Sequence, residues 1–171
     1  MNAWHEFYDM IGGASATLLG LLFVSVSLNA EVILGSKNKH SKRLAEQAFQ
    51  NYIGVLVVSL MVLIPNISDK DFGFSLLCVS LAWGLWVLVR AFQSVIAHSG
   101  GYSRLMSLRR FLAPFAGFGI LVYAGFEMSS GHGGFQGRIA AGVMVLLISA
   151  TVVAWQLLIK IAEEKYASRD G

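Results

Sequence analysis

Residues 10–31 read MIGGASATLLGLLFVSVSLNAE, a run with no charge between Asp9 and Glu31. Its 21 uncharged residues, at about 1.5 Å of rise each, reach across a hydrocarbon core of about 30 Å, which predicts a membrane-spanning helix. Four more apolar runs follow, at about 47–67, 72–89, 111–126 and 139–159. The pattern predicts an all-α integral membrane protein of five transmembrane helices, residues 1–171 forming one domain.

The polar stretches between the runs carry further expectations. Residues 1–9, with Trp4, Phe7 and Tyr8 beside His5, Glu6 and Asp9, are expected to lie along the membrane surface as an aromatic anchor. The link Ser68-Asp69-Lys70-Asp71 is so short that the second and third spans should pack as an antiparallel hairpin. Arg90 closes the third span, its helix running on toward Gly100 and Gly101, after which Arg104, Arg109 and Arg110 mark a basic loop. The fourth run is the shortest, 16 residues with Pro114 placed in its first turn, and is read as a full crossing in preference to a re-entrant segment. Residues 127–138, EMSSGHGGFQGR, with Glu127 and His132, read as a loop, and Lys160 onward as a tail.

Counting Lys and Arg in successive polar segments gives zero, four, one, four, one and three. Basic residues concentrate on the cytoplasmic side of membranes, so the alternation predicts an N-terminus outside and a cytoplasmic C-terminus. The placement belongs to topology and to contact with anionic lipids at the cytoplasmic face, and the net charge of +3 is not read as a nucleic-acid signal.

Within the first span, Gly13, Thr17, Gly20, Val24, Ser27 and Glu31 recur at spacings of four, three, four, three and four and share one stripe of a helix. Ile11, Leu18, Leu22 and Val26 lie opposite and are expected to meet lipid. Gly12, Ala16 and Gly20 form a small-xxx-small row of the kind that lets helices approach closely, and Gly117 and Gly125, with Ala113, offer the same in the fourth span. The stripe suits either a helix-packing face or the lining of a narrow water path, with Glu31 at its cytoplasmic mouth.

Asn29 and Glu31 end the first span, and Gln47, Gln50 and Asn51 begin the second. With Arg90 they are expected to cluster at the cytoplasmic boundary, satisfying helix ends and facing headgroup water, Arg90 either snorkelling alone to the interface or pairing with Glu31. Trp83 and Trp86 precede Arg90 at helical spacing and are read as a packing ridge in preference to a cation–π stack.

Composition agrees: 56% of residues are hydrophobic and 13% charged, with a mean hydropathy of +0.63, too apolar for a soluble domain of this size. One cysteine, Cys78, builds neither a disulfide nor a thiolate metal site and is read as a packing residue. His5 and Asp9 are a ligand pair with no third member. Ala14-Ser15-Ala16 precedes the apolar run where a signal-peptidase site would follow it, so the first span is expected to be retained. No HExxH, intramembrane Asp pair or activated-nucleophile spacing is present, and the chain is read as non-enzymatic, with no cofactor and no metal.

Trp4, Phe7, Gly13, Ala14, Ser15, Ala16, Gly20, Leu21, Leu22, Phe23, Val24, Ser27 and Asn29 together resemble the opening segment of a family of uncharacterised small bacterial membrane proteins, some labelled modulators of the FtsH protease. The resemblance covers about the first 30 residues; it implies a multi-pass protein of the bacterial inner membrane and carries no activity to particular positions.

The residues leave two functional classes. One is a homo-oligomer with an ion-conducting or pore-like role along the first span. The other is an accessory or regulatory subunit bound to a larger membrane protein, such as a membrane protease or transporter. A transporter ranks lower, because no broken helix pair or midplane charge marks a substrate site. The topology has a direct test: reporter domains fused after Asp71 and after His132 are both expected to report the outside, and a cytoplasmic signal from the second would exclude five spans.

Overall fold

The computed structural model describes residues 2–34, 39–65, 67–96, 101–130 and 135–167. Lys37, Gly100, His132 and Arg169 lie outside the described residues. The chain is helical: α1 (Asn2–Leu28), the short α2 (Ala30–Leu34), α3 (Lys39–Val62), α4 (Asp69–Ile96), α5 (Gly101–Ser129) and α6 (Gln136–Ala167). Among the described residues, four stretches are long and apolar enough to cross a membrane: Trp4–Leu28, Asp69–Arg90, Leu112–Ser129 and Gln136–Lys165. The protein is therefore of the membrane-spanning helical class.

The helices outrun the apolar segments that announce them. No Gly or Pro interrupts residues 2–10, and α1 begins at Asn2, so the N-terminal segment is the first turns of α1 and not a separate surface anchor. Tyr8, Ile11, Gly12, Ser15 and Leu22 are buried at helical spacing, while Trp4 and Phe7 pack partly buried against the same core. At the other end of the chain, α6 carries through Lys160, Glu163, Glu164 and Lys165. Arg104, Arg109 and Arg110 stand on α5 and not in a loop, which puts Pro114 in the interior of a 29-residue helix, where it offers no N–H to the Arg110 carbonyl. Ser68 caps α4: its Oγ accepts from the Asp71 amide at 3.2 Å and donates to Asp71 Oδ2 at 2.6 Å.

Neighbours follow the order α4, α5, α6, α3, α1, each antiparallel to the next. Opposed residue numbers show it: Gly73 faces Ser129 and Gly125 faces Leu77 across α4 and α5, and Gly117 faces Leu146 across α5 and α6. Ser41 meets Glu164 and Asn51 meets Ser149 across α3 and α6, while Ser15 meets Tyr52 across α1 and α3.

Two glycine pairs set the closest approaches. A Cβ on Gly125 would lie 3.0 Å from the Leu77 amide and 3.1 Å from the Gly73 carbonyl, and one on Gly73 would lie 2.9 Å from the Ser129 amide. Between α5 and α6 the notch is reciprocal. Leu146 lies over Gly117, and Leu121 over Gly142, so a Cβ there would meet leucine carbons at 2.7 and 2.9 Å. Helix association in lipid rests on such packing, since hydrocarbon tails are as apolar as leucine.

The expected pairing of the second and third spans does not form along their length. Phe118 of α5 is the reason: its ring approaches the Gly54 position on α3 at 3.3 Å, its Cβ lies 3.9 Å from the Gly84 position on α4, and it is 4% exposed. The ring stands between the two helices. Two apolar clusters result. One, around Tyr8, Val58, Leu76, Leu121, Met128 and Leu146, joins α1, α3, α4, α5 and α6; the other, around Leu22, Ile33, Leu44, Tyr52 and Leu157, joins only α1, α2, α3 and α6.

Gly125→Ala is expected to destabilise the bundle by about 1–3 kcal/mol, because the methyl group meets backbone. Gly20→Ala, whose Cβ meets nothing within 4 Å, is expected to change stability by less than about 0.5 kcal/mol or to raise it. Unfolding in mixed micelles followed by helicity compares the two, and equal effects would count against the glycine interlock.

Candidate functional site

The stripe read from the first span points away from the rest of the chain. Gly13, Thr17, Gly20, Val24 and Ser27 of α1 are all exposed, as is Glu31, which falls on the separate α2; among the described residues, no atom outside the local turns of α1 lies within 4 Å of where a Cβ would stand on Gly13 or Gly20. Thr17 Oγ1 donates to the Gly13 carbonyl at 2.9 Å, so the hydroxyl is served by its own helix. The opposite face is the one the protein buries. Ile11 and Leu22 are buried, and Leu18 and Val26 half-buried, reversing the assignment of those residues to lipid. The physical reason is shape: large side chains fill the space against α3 and α6, while the small residues have no volume to contribute there. Gly12 departs from its row, with its Cβ position 3.1 Å from Ser59 Cβ on α3, whereas Ala16 and Gly20 face outward.

Behind α1, the helices are tied by a polar seam. Ser15 Oγ donates to the Tyr52 carbonyl at 2.8 Å, Tyr52 Oη donates to Thr151 Oγ1 at 3.3 Å, and Thr151 Oγ1 donates to the Leu147 carbonyl at 2.9 Å. Asn51 Nδ2 donates to Ser149 Oγ at 3.3 Å. Asn51 is 1% exposed, so it serves the interior and not a headgroup layer. The Asn51-Tyr52 and Ser149-Ala150-Thr151 pairs, polar residues in otherwise apolar runs, were the available signal.

Two of the other boundary residues have contacts within their own surroundings. Asn29 Nδ2 donates to the Ser25 carbonyl at 2.9 Å, closing the end of α1, and Gln47 and Gln50 are half-buried on α3. Arg90 pairs with Glu46, not with Glu31: Nη1 donates to Glu46 Oε2 at 2.9 Å. Its guanidinium lies 4.8 Å from the Trp86 ring centre, so the tryptophan makes the cation–π stack that the packing reading had set aside. Cys78, read from sequence as a packing residue, is exposed on α4.

Below Phe118, where α3 and α4 stay apart, a cleft of about 380 Å³ opens between α1, α3 and α4. Leu22, Phe23 and Val26 wall one side, Ala45, Phe49 and Gln50 the second, and Trp86 the third, with Glu46 and Arg90 in its lining. At the far end of the bundle, Glu127 of α5 pairs with Arg138 of α6, whose guanidinium lies 5.3 Å from the Tyr123 ring centre. The two ends of the segment expected to be a loop are therefore helical, Glu127 on α5 and Arg138 on α6, and pair with each other. Among the described residues, no three His, Cys, Asp or Glu side chains converge as metal ligands.

Comparison of the chain with protein-family models, with curated proteins and with solved structures finds no match.

The Glu127–Arg138 tie is measurable by a double-mutant cycle. Glu127→Ala and Arg138→Ala are each expected to destabilise the bundle, with a coupling energy of about 1 kcal/mol, between the values for exposed pairs and for charged hydrogen bonds. Additive losses would remove the tie.

Proposed function

We propose that the protein is a non-enzymatic, five-span protein of the bacterial inner membrane, N-terminus outside and C-terminus cytoplasmic, that works as a homo-oligomer with the outward face of α1 turned toward neighbouring copies. One observation carries the reading: the small residues of this face, Gly13, Ala16, Thr17 and Gly20, are exposed, and the two glycines have open space before them. In lipid, a helix surface of this kind gains from close approach of another backbone and little from acyl chains, which cannot fill its notches as well. Counting α3 as the fifth span is supported by its antiparallel course between α1 and α6, from Ser41 beside Glu164 to Ser59 beside Gly12.

Ion conduction is the activity proposed for the assembly. Thr17 and Ser27 are exposed on α1 and Glu31 on the adjoining α2, and copies arranged about an axis with these residues inward would line a path with hydroxyls and end it in a ring of carboxylates. The alternative use of the face is to hold a larger membrane protein, such as a membrane protease or transporter, which would make the chain an accessory subunit.

Native mass spectrometry in mild detergent, paired with ion flux into liposomes, tests the reading. The expected outcome is an oligomer that Gly20→Leu disperses, and a flux that Glu31→Gln reduces several-fold without changing assembly. A monomer without flux would overturn the proposal, and a stoichiometric complex with a different membrane protein, lost on Gly20→Leu, would replace it with the accessory role.

A further inference from the structure

The cleft between α1, α3 and α4 joins an apolar chamber to a fixed pair of opposite charges. We propose that it is a binding site for one phospholipid of the phosphoethanolamine class, its acyl chain against Leu22, Val26 and Phe49, its phosphate toward Arg90 and its ammonium toward Glu46.

Position and charge narrow the occupant. A volume of about 380 Å³ falls in the range of sites that hold small molecules. The site lies at the end of the apolar stretch Asp69–Arg90, where a helix passes from hydrocarbon to headgroups, and its charged residues stand at that boundary.

Arg90 and Glu46 keep 43% and 35% of their side-chain surface exposed, so each remains open to a ligand while bonded to the other. The guanidinium carries five N–H donors in a planar fork, and stacking on Trp86 holds that plane in one orientation, leaving donors beyond the Nη1 bond for phosphate oxygens. Glu46 decides between headgroups. A phosphate with no accompanying cation would approach Arg90 against the repulsion of the neighbouring carboxylate, whereas a headgroup bearing a primary ammonium gives Glu46 three donors in return. A neutral pair of charges thus selects a neutral pair of charges, in contrast to the basic segments, which favour anionic lipid without regard to headgroup shape.

The test is native mass spectrometry of the intact protein exchanged into detergent containing equal amounts of phosphatidylethanolamine and phosphatidylglycerol. One phosphatidylethanolamine adduct per chain is expected, favoured over phosphatidylglycerol by about tenfold, the scale of one charged hydrogen bond. Glu46→Gln keeps the shape of the side chain and is expected to reduce that preference to within about twofold while the lipid adduct persists. Val26→Trp fills the chamber and is expected to remove the adduct; should that variant lose its helicity, Glu46→Gln decides alone. Equal retention of the two lipids by the unaltered protein, a preference for phosphatidylglycerol, no adduct at all, or a preference unchanged in Glu46→Gln would each overturn the site. Gly20→Leu, which acts on the outward face of α1, is expected to leave the adduct in place, which separates the lipid site from the assembly.

Discussion

Between hydrocarbon tails a leucine gains little by touching another helix, so what holds α4, α5 and α6 together is the depth to which their backbones can approach. Gly73 and Gly125 bring α4 against α5, and Gly117 and Gly142 each accept a leucine from the facing helix. Once α5 is held on both sides, its remaining face is committed. Phe118 must project between α3 and α4, and the separation of those two helices follows from that one ring.

That separation has opposite effects at the two ends of the bundle. Near Tyr8, side chains from the five long helices share one core, with the Glu127–Arg138 pair joining the ends of α5 and α6. Near Arg90, α1, α2, α3 and α6 keep a core of their own. There α4 touches α3 through Arg90 and Glu46, and the space behind the pair is the cleft. The ion pair is therefore both a strut between two parted helices and the polar end of an apolar chamber. A partly exposed pair of this kind contributes on the order of 1 kcal/mol at most to stability, which leaves both charges available to a ligand.

Along α1, burial and chemistry divide in a way that a helical wheel does not settle. A stripe of glycine, threonine and serine opposite a stripe of leucine and isoleucine marks two faces, but the wheel does not say which of them turns inward. The inner face is chosen by the partner surfaces. The cavity left by α3 and α6 demands volume, which Ile11, Leu18, Leu22 and Val26 supply, while only Gly12 and Ser15 among the small residues are drawn in, one against Ser59 and one to the Tyr52 carbonyl. The same logic applies to Asn51, which looks like a headgroup residue in sequence and is buried because Ser149 stands across from it.

The sequence by itself determined the helical membrane class, because backbone hydrogen bonds in lipid are satisfied only within helices or closed barrels, and uncharged runs of this length fit the helix and not a spanning strand. It also marked two of the four glycines at which α4, α5 and α6 close, Gly117 and Gly125, though not Gly73 or Gly142, and the two-faced character of α1. Tertiary structure alone decided which helices are neighbours, that Arg90 meets Glu46 across 44 positions of chain, and which face of α1 turns outward. Periodicity reports how residues sit around one helix axis; partner choice depends on the fit of two surfaces drawn from distant segments, and here it turned on the glycine notches of α5 and the position of Phe118.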